Sequence, residues 1–161
     1  MGLFSFMKDA GEKLFGRGEA KAADTTGPDA AAVNAKAAEA IAAYIKALEL
    51  APADLVVSFD GASQLVTVSG TAPDQASKER ILLAAGNVQG VAQVDDRMTV
   101  LVSEPEAKFH TVVKGDTLSA IAKAHYGNPN KYMAIFEANK PMLSHPDKIY
   151  PGQVLRIPAQ A

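Results

Sequence analysis

The stretch of this chain best suited to chemistry is Ile81 to Val91, which reads Ile-Leu-Leu-Ala-Ala-Gly-Asn-Val-Gln-Gly-Val. Its first half has the character of a helix end, Gly86 stands where a helix stops, and the valines beyond enter a strand. A helix C-terminus leaves carbonyl oxygens without intrahelical partners and carries the negative end of the helix dipole, so it is a natural place for a cation. On these residues alone, the plainer account is a glycine stop and a strand-entry turn that hold no ion.

Other chemistries find less support. His110, His125 and His145 are scattered and none stands at a ligand spacing such as i, i+4, so a transition-metal site is not expected. The chain contains no cysteine, which removes disulfides and thiolate metal sites and suits a reducing compartment. No nucleophile elbow, phosphate-binding loop or His-Glu-x-x-His motif occurs, and no Ser, His and Asp can be placed together, so an enzyme is not expected. A formal net charge of -2 without a Lys/Arg cluster argues against a nucleic-acid partner.

The elements around the turn follow from hydrophobic spacing. At 161 residues and 48% hydrophobic content, the chain can form one ordinary domain or two small ones. After an apolar start and an aperiodic connector, Asp29 is a candidate N-cap. Val33, Ala37, Ile41, Tyr44 and Leu48 then recur at helical spacing and predict a helix that ends before Pro52. Leu55 to Phe59 and Leu65 to Val68, joined by Asp60-Gly61-Ala62-Ser63, predict a hairpin whose second strand ends at Gly70. Pro73-Asp74 opens a second helix with Ser77, Ile81, Leu82 and Ala85 on one side, and Gly86 closes it. Val91 to Val102 predicts a third strand with a bend or bulge at Asp95-Asp96, where alternation fails. The result is an αββαβ sandwich, its helices on one face of a three-stranded sheet.

A short charged linker, 103–108, leads to a second module. A strand over Phe109 to Val113 turns at Gly115, and Asp116 or Thr117 caps a helix with Leu118, Ile121, Ala122 and Tyr126 on its buried stripe. Gly127 stops that helix, Asn128-Pro129 opens another that buries Tyr132, Ile135 and Phe136, and Val154 to Ile157 makes the closing strand. This βααβ unit is at the lower size limit for independent stability and is expected to lean on the first module.

At the N-terminus, the only early lysine of Met-Gly-Leu-Phe-Ser-Phe-Met-Lys-Asp-Ala follows the apolar residues, the reverse of a secretory signal. Nothing later approaches the roughly twenty apolar residues that span a bilayer. Leu3, Phe4, Phe6, Met7, Leu14 and Phe15 could lie on a membrane surface, but packing against the neighbouring domain is the favoured reading. A soluble, cytoplasmic monomer without stable membrane insertion is expected.

Gly115-Asp116-Thr117-Leu118, Ile121-Ala122, Tyr126-Gly127, Ile135, Asn139 and Gly152-Gln153-x-Leu155-x-Ile157-Pro158 resemble a LysM domain over 109–158. Gly70, the helix after it and Gly90-Val91-x-x-Val94 resemble a BON domain over 28–102. With Met1-Gly-Leu-Phe ahead of them, the two together resemble the bacterial cytoplasmic BON-LysM potassium-binding family, with 1–27 as an N-terminal segment and connector. The Ala/Gly-rich stretch from Gly16 to Ala32 departs from the resemblance, reading as longer than the family pattern implies. The implied fold class is α+β.

The resemblance also implies a ligand and its site. In that family K+ is held by main-chain carbonyls, here those of Met7, Lys8 and Ala10 from the N-terminal segment and of Gly86, Val88 and Val91 from the turn. The physics agrees: neutral carbonyls can replace the hydration shell of a large monovalent cation, whereas calcium and magnesium favour carboxylates, and 86–91 contains none. Such a site is expected to compact the protein when filled, as an ion sensor. The alternative implied by the LysM resemblance is a peptidoglycan-type N-acetylglucosamine glycan bound at Gly115, Asp116, Thr117 and Leu118.

Overall fold

The computed structural model of the chain describes residues 3–5, 30–88 and 90–159. Helix α1 (Ala30–Ala47) winds through an alanine-rich sequence and buries Ala37, Ala38, Ile41 and Ile45 along one face. Asp29, the expected cap, lies outside the described residues. Strands β2 (Val56–Asp60) and β3 (Leu65–Asp74) form the hairpin, with Phe59 opposite Val66. In its loop the Asp60 carboxylate accepts from Ala62 N–H at 3.2 Å and Ser63 Oγ at 2.7 Å.

Helix α2 (Gln75–Gly86) begins at Asp74, whose side chain accepts from Ser77 N–H at 2.7 Å. Strand β4 (Gln93–Val102) returns parallel to β3, so β3, α2 and β4 form a crossover unit. Both helices cover one face of the sheet, and the core between them includes Ile41, Ile45, Val66, Val68, Ile81, Val88, Val91 and Val94.

The first module departs from the sequence expectations in four places. The sheet has four strands, ordered β1-β4-β3-β2, because Leu3–Ser5 adds β1 antiparallel to β4. Strand β3 runs through Gly70, which serves a close approach rather than a strand end: its φ is 143°, and a Cβ would meet Pro52 Cγ at 3.3 Å and Asp54 at 3.4 Å. There is no bulge at Asp95-Asp96, since the register is unbroken from Leu65↔Gln93 to Ala72↔Val100. Asp96 points inward and is accommodated by Lys78 Nζ at 2.8 Å and Met98 N–H at 2.9 Å, while Asp95 pairs with Arg97 at 2.9 Å. Finally, Gly86 lies inside α2, and Asn87 is the C-cap.

The second module has β5 (Lys108–Thr111), α3 (Leu118–Tyr126), a 3-10 turn (Pro129–Lys131), α4 (Tyr132–Ala138) and β6 (Val154–Ile157). The architecture is α+β throughout, αββαβ then βααβ, with β1 added. Strands β5 and β6 pair antiparallel beneath a core of Val112, Leu118, Ile121, Ala122, Ile135, Phe136, Leu143, Leu155 and Ile157.

Helix α2 is buried on more sides than its one-sided pattern implies, because the second module packs on it through β6. Glu79 reaches Arg156 at 3.0 Å, and Arg80 donates to the carbonyls of Ala138 and Glu137 at 3.2 and 3.3 Å. No helix among the described residues is long and apolar enough to cross a membrane.

Candidate metal centre

In the turn between α2 and β4, the side chains of Val88 and Val91 face the core. Asn87 N–H closes the helix on Leu83 O at 2.9 Å, and Val91 N–H donates to Val88 O at 3.1 Å across the turn. Gly90 sits between them with φ 102°, a conformation that L side chains resist. Ala92 and Gln93 N–H then both reach Gln64 O, at 2.9 and 3.2 Å, which sets the entry into β4. Gly86, Val88 and Val91 are all buried.

The polar groups that Gly86, Val88 and Val91 offer are therefore those of the backbone. Val88 O accepts from Val91 N–H, and a carbonyl oxygen carries two lone pairs. The carboxylates that follow are engaged, Asp95 with Arg97 and Asp96 with Lys78. Among the described residues no group of three or more His, Cys, Asp and Glu could hold a metal ion. Neutral carbonyls at the negative end of a helix fit a large monovalent cation better than calcium or magnesium. The turn residues of the expected set, Gly86, Val88 and Val91, thus offer backbone oxygens, the donor type that suits such an ion. Met7, Lys8 and Ala10, the other half of the set, lie outside the described residues.

Strand β1 lies beside the strand that the turn enters. Its register is Leu3↔Asp95, Phe4↔Val94, Ser5↔Gln93, antiparallel to β4. Along β1 the chain thus runs toward the end of β4 that Val91 feeds.

One residue of the turn escaped the sequence reading. Asn87 is 3% exposed, its Oδ1 accepts from Val154 N–H at 2.9 Å, and its Nδ2 donates to Val154 O at 2.8 Å. The available signal was a polar residue inside an otherwise apolar stretch, but its partner is 67 residues away.

The second candidate set lies at the start of α3. Gly115 is exposed with φ 93°. Asp116 Oδ2 accepts from Val113 N–H at 3.0 Å and lies 2.9 Å from His110 Nε2, contacts that hold its carboxyl below the ordinary carboxylate value. Thr117 Oγ1 caps α3 through Ala120 N–H at 3.1 Å, and Leu118 is buried in the core. Asp116 and Thr117 are thus occupied in building the turn, and Leu118 in packing the core. Nearby, His110 and His125 meet edge to face with centroids 5.4 Å apart. His125 is held below its ordinary pKa by burial, then by the charges of His110 and Lys108.

Comparison with known proteins agrees with both modules. Residues 31–101 match the BON domain family and residues 110–158 the LysM domain family. Over 160 residues, covering 99% of this chain and 100% of the relative, the sequence is 46% identical to "Potassium binding protein Kbp" of Escherichia coli O6:H1. A 49-residue stretch, 30% of this chain and 19% of the relative, is 49% identical to an uncharacterized protein of Deinococcus radiodurans. With a BON domain followed by a LysM domain and this full-length similarity, the chain belongs to the family of the potassium binding protein Kbp.

Proposed function

We propose that this protein binds potassium through backbone carbonyl oxygens of Gly86, Val88 and Val91 together with those of Met7, Lys8 and Ala10. The observation that carries the reading is the 46% identity, over essentially the whole of both chains, to a protein named for binding potassium. The carboxylate-free turn at the end of α2 supports it, as does the run of β1 toward the end of β4 that this turn feeds. The protein is accordingly a binding protein rather than an enzyme, and it works as a monomer in the cytoplasm.

The mechanism follows from shared ligation. Carbonyl oxygens brought together without an ion repel one another, so the N-terminal segment and the turn separate more readily; an ion between them joins the two. A ligand that binds only the joined arrangement shifts the population toward it, and the protein compacts. Compaction is what would make such a protein a sensor. The test is calorimetric titration of protein dialysed free of potassium, with potassium, sodium, calcium and magnesium chlorides in turn. A heat of binding for potassium with none for calcium or magnesium is expected; binding of the divalent ions alone would overturn the reading.

The match of residues 110–158 to the LysM family supports a second reading, an N-acetylglucosamine glycan bound near the exposed Gly115 turn. Retention on purified peptidoglycan, with no response to potassium, would favour it over the first.

A further inference from the structure

The ionisable side chains around His125 form a cluster that the cation turn does not use. His125, on the last turn of α3, lines a cavity of about 290 Å3 together with Tyr126, with Glu106 and Lys108 from the chain entering β5, and with Ile157 and Pro158 at the end of β6. Two contacts build its walls. Lys108 stands opposite Ile157 where β5 and β6 pair, and Tyr126 Oη donates to Pro158 O at 2.6 Å, which ties the end of α3 to the chain leaving β6. The Gly115 turn lies ahead of the first residue of α3, so the cavity is at the opposite end of that helix.

Charge around the cavity is weighted toward cations. Lys108 and His110 stand two apart on β5 and so share a side of the strand, and the His110 ring meets His125 edge to face at 5.4 Å. The carboxylate of Asp116 is engaged with His110 Nε2 at 2.9 Å and with Val113 N–H at 3.0 Å. From β6, Arg156 reaches Glu79, and on α3 itself Lys123 shares the last turn with His125. Burial, then the charges of His110 and Lys108, hold His125 below its ordinary pKa, and burial pushes the Tyr126 phenol up. A proton added to His125 therefore calls for a counter-charge. Of the residues that line the cavity, Glu106 is the acid.

We propose that this cavity binds a small organic monocarboxylate, with its carboxylate between Lys108 and protonated His125 and its apolar tail against Ile157 and Pro158. The volume is at the lower bound for small-molecule sites and suits a short chain rather than a sugar polymer. A second negative charge on the ligand would share the cavity with Glu106, so a dicarboxylate is disfavoured. The proton comes from water: neutral His125, a proton and the carboxylate combine into one ion pair. Binding and protonation are thus linked, and the factor that the proton adds to carboxylate affinity the carboxylate returns to the proton affinity of His125.

The test follows the histidine ring protons of the full chain by NMR between about pH 4.5 and pH 8, in sodium butyrate and again in sodium chloride of equal ionic strength. The His125 resonance is assigned by its loss in His125→Gln. At saturating butyrate its midpoint should rise by about one unit, which corresponds to about tenfold tighter binding to the protonated protein. His145, in the loop ahead of β6 beside Asp147, is the internal control and should stay where it is. Lys108→Gln, at an exposed position, should reduce the His125 response at subsaturating butyrate several-fold without changing the melting temperature. An unmoved His125, or an equal rise at His145, overturns the proposal. Disodium succinate acting as strongly as butyrate overturns the assignment to a monocarboxylate.

Discussion

The carboxylate of Glu79 and the guanidinium of Arg156 meet at 3.0 Å between the two modules, with side chains only 2% and 9% exposed. Glu79 Oε2 also accepts from Ala107 N–H at 2.9 Å, so one buried acid binds the BON helix to both the LysM strand and the chain that connects them. A buried ion pair is weak evidence of net stabilisation, because the desolvation of both charges offsets their attraction. Breaking it is another matter.

Removing one partner leaves the other charge buried and uncompensated. Glu79→Ala is expected to destabilise the protein by about 3 kcal/mol in urea unfolding, whereas Glu79→Met combined with Arg156→Met costs far less. Equal losses in the single and double variants would show that packing, not charge, holds the modules together.

Acid should weaken both modules through identifiable carboxylates. Ser77 N–H holds the Asp74 carboxyl below its ordinary value, and Val113 N–H with His110 does so for Asp116. A carboxyl whose folded pKa is depressed contributes stability that is complete above its unfolded value and is lost as pH falls through the folded one. Stability should therefore decline below about pH 4, and Asp74→Asn and Asp116→Asn should each flatten that decline.

Ion binding should not follow those carboxylates. Backbone carbonyls do not titrate, so potassium affinity is expected to stay constant between about pH 5 and pH 8, a range in which a histidine ligand would change charge. A fall in affinity centred near pH 6.5, followed by calorimetry, would indicate a histidine in the site instead.

Substitutions in the two proposed halves should separate backbone from side chain. Lys8→Ala retains its carbonyl and is expected to leave potassium affinity nearly intact, while deletion of residues 2–10 abolishes binding. Gly90→Ala places a Cβ where φ is 102°, a strain of about 1 kcal/mol or more, and should weaken binding by distorting the turn. Tight binding by the deletion variant would remove the N-terminal segment from the site.

Much of the fold was legible because its periods are local. The spacing of Ala37, Ile41 and Tyr44, the hairpin around Gly61, and the capping residues Asp74 and Thr117 all depend on near neighbours in sequence. What failed depended on distant partners. Asp96 looked like a break in β4 because the lysine that neutralises it, Lys78, comes from a different element. Gly70 looked like a strand end because the crowding by Pro52 and Asp54 is tertiary. Strand β1 exists by backbone pairing to β4, which three residues cannot announce. Likewise the position of the candidate turn was readable from Gly86 and Gly90, but its ion came from resemblance and its clamp to Val154 only from structure.

The most direct test of a carbonyl site is to watch the carbonyls. In isotope-labelled protein titrated with potassium chloride, the backbone carbonyl carbon resonances of Gly86, Val88 and Val91 should shift in step with those of Met7, Lys8 and Ala10, saturating together, while an equal concentration of sodium chloride moves them less. Shifts confined to the side-chain carboxyls of Asp95 and Asp96, with the turn carbonyls unmoved, would contradict the account.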